Sequence, residues 1–140
     1  MKEQIRFVNR FKRYYAACFQ ALAGEYGLNQ LEIDILLFLH NNPDCNTASD
    51  IVELRGLAKS NVSTAIERLR REGYLRVMPD RGNRRKRRLY LLPERESTVL
   101  RLAQEQRSCL HSLTEGFTQA ELGQLRGMID RMEENMSHAD

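Results

Sequence analysis

The side chains best suited to chemistry in this chain lie between Lys59 and Arg88, and the chemistry they suit is binding a polyanion. Lys59, Ser60, Asn61, Ser63, Thr64, Glu67, Arg68 and Arg71 fall on the outward side of a helical pattern. Small hydrogen-bonding side chains followed by Arg fit a helix whose N-terminal tip enters a DNA major groove, where base edges present donors and acceptors. A solvated helix face would also be polar, so this row alone leaves both readings open. A second feature decides between them. From Asp80 to Arg88 there are six cations, Arg81, Arg84, Arg85, Lys86, Arg87 and Arg88, against the single acid Asp80. Like charges crowded onto a short tip repel one another, and a polyanion removes that repulsion. Double-stranded DNA is the expected partner, with Lys59, Ser60, Asn61, Ser63, Thr64, Arg68, Arg81, Arg84, Arg85 and Lys86 as candidate contacts.

The elements that must position these residues are legible around them. Val62, Ala65, Ile66 and Leu69 recur at helical spacing and predict a helix from about Lys59 to Glu72, ended by Gly73 in the left-handed region. A shorter helix from about Thr47 to Leu54 precedes it, with Thr47 as N-cap and a glycine corner at Arg55-Gly56-Leu57. Tyr74–Met78 and Arg88–Leu92 are strand-like, and Asp80-Arg81-Gly82-Asn83 supplies turn chemistry between them. Two helices, a corner and a cationic hairpin make a winged helix-turn-helix.

Outside this module the chain is helical. Ile5, Val8, Phe11, Tyr15, Phe19 and Leu22 form one stripe, predicting a helix from Gln4 to about Ala23 that Gly24 and Gly27 break. Asn29 and Glu32 resemble a capping box for a short helix, Leu31–Leu39, apolar nearly all round and so the core helix of a small domain. Pro93 restarts the chain as helix, with Val99, Leu102, Ala103, Gln106, Leu110 and Leu113 in its stripe. Thr118 and Glu121 cap a last helix carrying Leu122, Leu125, Ile129, Met132 and Met136. These terminal stripes exceed what a small winged helix can cover, so a homodimer is expected; an intramolecular bundle is the alternative. The fold class is mainly α with a small β-hairpin wing. Its divisions are an N-terminal dimerisation helix at 1–28, a DNA-binding lobe at 29–93 and C-terminal dimerisation helices at 94–140.

Charge agrees with this division. Residues 55–95 hold 13 Lys/Arg and 4 Asp/Glu, while the rest of the 140-residue chain is net acidic although the total is +3. The cationic charge thus sits on the helix-and-wing module. No run approaches the ~18 apolar residues of a membrane span. The N-terminus lacks a signal-peptide core, and the three cysteines, Cys18, Cys45 and Cys109, imply no disulfide framework. The expectation is a cytoplasmic protein without membrane contact.

In element order the chain resembles the MarR (multiple antibiotic resistance regulator) family of winged-helix regulators. The match is most specific from Leu57 to Leu75, LAKSNVSTAIERLRREGYL, and over the wing, DRGNRRKRRLYL, from Asp80 to Leu91. Asn83 stands where the family pattern has a second acid, and Leu92-Pro93-Glu94-Arg95 replaces a common Thr-x-x-Gly. The first change leaves the tip more cationic and puts the family's Asp–Arg brace in question, with Asp80 as a partial substitute. The resemblance implies a dimeric transcriptional regulator, a repressor of a pseudo-palindromic operator. It also implies release of DNA when a small-molecule effector, metal or oxidant acts near the junction of the two domains. Here that junction falls around Tyr15, Phe19, Ile33 and Leu37, where a filled core would explain the same residues. Cys18 lies in an apolar stripe and is expected to be a structural thiol.

No Gly-rich phosphate loop, metal-spaced Cys/His set or Ser/His/Asp signature occurs, so no catalytic residue, metal or cofactor is expected. An architectural, sequence-nonspecific DNA-binding protein is the competing function. The polar tip Ser60, Asn61, Ser63, Thr64 favours base reading, because a nonspecific binder needs only cations there.

Overall fold

The computed structural model describes residues 1–55 and 58–139, the side chains of Leu54 and Arg55 excepted. The glycine corner expected at Arg55-Gly56-Leu57 lies outside the described residues. The order is α1 (Lys2–Tyr26), α2 (Gln30–Asn41), α3 (Ala48–Arg55), α4 (Lys59–Arg71), β1 (Leu75–Pro79), β2 (Arg87–Leu91), a 3-10 turn (Pro93–Arg95), α5 (Glu96–Leu113) and α6 (Gln119–Ser137). The chain forms two compact units, Met1–Gln106 and the remainder from Arg107, with the division inside α5.

Within the first unit the core is built around α2. Ile33, Ile35, Leu36, Leu37 and Leu39 are buried all round that helix, so every neighbour must pack against it. Phe19 and Leu22 from α1, Ile51 from α3, Val62 and Leu69 from α4, Leu75 and Leu89 from the strands, and Val99 and Leu102 from α5 complete the cluster. Each such burial stabilises by roughly 1.5–3 kcal/mol. The apolar residues of α1 and α5 nearest the winged helix share its core.

Local chemistry fixes the ends. Asn29 and Glu32 form a complete capping box on α2, each side chain meeting the other's backbone N–H at 2.8 Å. Gly24 does not break α1, because one helical glycine costs only about 1 kcal/mol against Ala. The helix runs on to Gly27, whose φ of 65° reverses the chain. Gly73 closes α4 in the same way at φ 78°. Thr47 and Asp50 cap α3 reciprocally at 3.1 Å. The strands pair antiparallel with Leu75 opposite Leu91 and Val77 opposite Leu89, so the inward residues face the core and Arg76 lies over the outward Tyr90 ring.

The second unit contains the end of α5 and α6. Thr118 and Glu121 make the predicted capping box. Leu125, Met128, Ile129, Met132 and Met136 along α6 are exposed, from 39% to 61%. No helix among the described residues is long and apolar enough to cross a membrane.

Candidate nucleic-acid interface

Helix α4 presents its expected row. Val62, Ala65, Ile66 and Leu69 are buried, and Lys59, Ser60, Asn61, Ser63, Thr64 and Arg71 are exposed. The buried stripe fixes the helix's rotation, which turns the small polar residues outward. Among the described residues, no side-chain cap closes its N-terminus at Ala58. The first-turn N–H groups there and the Lys59 ammonium form a positive end suited to a phosphate. Thr64 donates its hydroxyl to the Ser60 carbonyl at 3.0 Å. A hydroxyl that donates in this way keeps lone pairs able to accept from an adenine or cytosine amino group.

Two further groups on α4 were not anticipated in these roles. Arg70 donates through Nε and an Nη to both oxygens of Glu67, at 3.0 and 2.6 Å. This fork holds the Glu67 carboxyl below its ordinary range. Arg68, expected among the DNA contacts, also makes hydrogen bonds within the chain. One Nη donates to Glu32 Oε1 and the other to the Gly27 carbonyl at 2.6 Å. The structure places Arg68 against the α1–α2 turn and apart from the outward row, because Glu32 is fully buried and draws the cation to it.

The wing is braced at its base and cationic at its tip. Asp80 Oδ1 accepts from Arg88 Nε at 2.6 Å, while Oδ2 accepts from the backbone N–H groups of Gly82 and Asn83 at 3.1 and 3.0 Å. The Arg88 hydrogen bond above all, with help from those amides, holds the Asp80 carboxyl low against the opposing effect of burial. Asp80 thus carries the brace that the missing second acid put in question. Asn83, in that acid's place, accepts from the Arg85 N–H at 3.1 Å and shapes the tip. Arg81, Arg84, Arg85, Lys86 and Arg87 are all exposed.

Sequence reasoning also missed Asn46. This buried residue accepts from Arg88 at 2.8 Å and donates to the Leu89 carbonyl at 3.1 Å. The Leu89 N–H returns to the Asn46 carbonyl at 2.8 Å, and Thr47 bridges Arg88. The segment before α3 is therefore tied to β2 by a single isolated bridge, a pairing that no local pattern of five residues could announce.

Of the expected effector residues, three lie in the core and Tyr15 is partly buried against it. Phe19, Ile33 and Leu37 are at most 2% exposed, and Tyr15 packs edge-on against Phe19 at 5.0 Å while accepting from Gln106 at 2.8 Å. Open space occurs at the C-terminal end of α2 instead. Two hollows of about 190 Å³ share His40 and Leu91 in their walls, one toward Pro93, Glu96 and Leu100, the other toward Pro43, Asn46 and Tyr90. Cys18 is partly buried against the core, and Cys45 is exposed.

Residues 26–86 match the model of the MarR family. The HTH-type transcriptional regulator PecS of Dickeya dadantii (strain 3937) is 28% identical over 114 residues, which are 80% of this chain and 69% of PecS. A MarR family transcriptional regulator from Listeria monocytogenes, solved with a 26mer DNA, superposes with a TM-score of 0.81 at 16% identity, covering 96% of this chain and 89% of that one. Bordetella bronchiseptica BpsR, whose DNA binding is regulated by 6-hydroxynicotinic acid, superposes at 0.72 with 21% identity, covering 94% and 98%. At such identities the two structures establish the fold alone.

Proposed function

Since the chain belongs to the MarR family of DNA-binding transcriptional regulators, we propose that it works as a homodimeric repressor on a pseudo-palindromic operator. The observation that carries this is the pairing, within one compact unit, of an exposed polar α4 tip with a braced cationic wing. Lys59, Ser60, Asn61, Ser63 and Thr64 enter the major groove, and Arg81, Arg84, Arg85 and Lys86 meet the flanking backbone or minor groove. Arg68 is left out of the contact set.

Dimerisation is supported by apolar exposure on each unit separately. Ile5, Phe7 and Val8 on α1 are 48–64% exposed, as is the α6 stripe to a similar degree. A two-fold dimer would place its two α4 helices about one duplex turn, ~34 Å, apart. Effector control belongs to the same proposal. Its site is the His40 hollow beside β2 and the start of α5, in preference to the packed residues Tyr15, Phe19, Ile33 and Leu37.

Footprinting the protein on DNA upstream of its own coding sequence tests the reading. A protected inverted repeat with half-sites one turn apart is the expected result. Uniform protection of any duplex, with equal losses for Asn61→Ala on all of them, would favour the architectural function.

A further inference from the structure

The Arg68–Glu32 pair has a geometry that a simple surface ion pair lacks. Glu32 is 0% exposed and uses Oε1 twice, accepting from the Asn29 N–H of its own capping box and from Arg68. Oε2 is buried and finds no donor among the described residues. The charge on Glu32 is therefore answered from one oxygen, and Arg68 is the cation that answers it. The second Nη of Arg68 reaches the carbonyl of Gly27, the left-handed residue that ends α1. One guanidinium thus ties three things together: the end of α1, the cap of α2 and the third turn of α4.

We propose that Arg68 is a positioning residue for DNA recognition, setting the axial place of α4 through Glu32 and Gly27 without touching DNA itself. Packing fixes the rotation of α4 through its buried stripe, but smooth aliphatic contacts leave a helix some freedom to slide along its axis. A forked donor held by two fixed oxygens removes that freedom, because both bonds lengthen together when α4 shifts. Base reading by Ser60, Asn61 and Thr64 depends on sub-ångström placement, whereas phosphate contact by flexible wing cations tolerates displacement. Loss of the clamp should therefore degrade discrimination more than affinity.

The inference rests on the operator reading, and the test separates the two. Affinities for operator and random duplex are measured across a salt series for the wild type, Arg68→Lys, Glu32→Gln and the double variant, with folding checked by circular dichroism. Arg68→Lys keeps a cation for any phosphate but loses the fork. The expected result is an operator-to-random affinity ratio reduced about tenfold in both single variants. The salt slope on random DNA should not change, and the double variant should be no worse than either single. A ratio at the wild-type value in Arg68→Lys overturns the clamp. So does an Arg68→Ala variant whose salt slope falls by about one, the mark of a side chain that neutralises a phosphate directly. Should Glu32→Gln fail to fold, Arg68→Lys alone decides. A wild type with no preference for operator over random DNA defeats the operator reading instead.

Discussion

At the scale of single residues, charge does two different jobs in the wing. Arg84 and Arg85 are exposed at the tip, and neither enters the ion pairs Arg68–Glu32, Arg70–Glu67, Arg88–Asp80 and Arg101–Glu25 found among the described residues. Replacing both by Ala should weaken binding to any duplex and lower the salt slope by about one for each phosphate that these side chains neutralise, with stability unchanged. Asp80 is structural, since it holds Arg88 and two backbone amides. Its folded pKa is depressed, so its contribution to stability is full above the unfolded carboxylate value and is lost as pH falls through the lower folded one. The stability difference between the wild type and Asp80→Asn should thus be constant from about pH 5 to 8 and close below about pH 4. Parallel urea titrations at each pH measure it, and a gap undiminished in strong acid would mean that the carboxylate charge is irrelevant.

At the scale of elements, α4 is governed by its ends and its buried stripe. Gly73 sits at φ 78°, a conformation costing a residue with a Cβ about 1–2 kcal/mol. Gly73→Ala should lower unfolding free energy by that amount in chemical denaturation, since the added Cβ meets only Glu94 Oε2, at 3.6 Å. Leu69→Ala, at a fully buried position, should cost more, about 2–5 kcal/mol. Neither change touches the outward row. Asn61→Ala and Thr64→Val should do the reverse, leaving the denaturation midpoint in place while shifting operator preference by roughly 1–3 kcal/mol at a contacted base pair. Competition binding against single-base operator variants reads this out. Loss of stability without a change in preference would remove these two residues from the reading set.

For the whole molecule, the unanswered surface is the apolar residue set left outside the core. Met128, Ile129, Met132 and Met136 on α6 are 48–61% exposed, at spacings that make a seam. Truncation before Glu121 should convert a dimer into monomer or aggregate in light scattering, and a well-folded full-length monomer at micromolar concentration would defeat the dimer. Ligand control through the His40 hollow must distinguish DNA-competent from incompetent arrangements, and a tenfold effect needs only ~1.4 kcal/mol of coupling. His40→Phe, filling that space, should blunt any effector response while Tyr15→Ala and Phe19→Ala mainly reduce stability. Operator release by a panel of aromatic acids, compared across the three variants, checks this.

Local pattern sufficed wherever the determining physics is local. The capping boxes at Asn29 and Thr118, the left-handed stop at Gly73, the buried stripe of α4 and the charge of the wing tip each depend on residues within about two helical turns of one another. From these the winged helix and its outward polar row follow in the sequence itself. Tertiary structure alone decided how side chains distant in sequence are spent. Arg68 reads as a DNA contact by position, and its guanidinium reaches Glu32, 36 residues away. Asn46 became a brace to Arg88 across 42 residues, and Phe19, Ile33 and Leu37 became core with Tyr15 packed partly buried against it, while space opened at His40. A polar side chain on a helix has the same local signature whether it meets water, a base or a buried carboxylate. Only the packing of other elements around it selects among them, because burial and partner geometry belong to the fold and not to the segment.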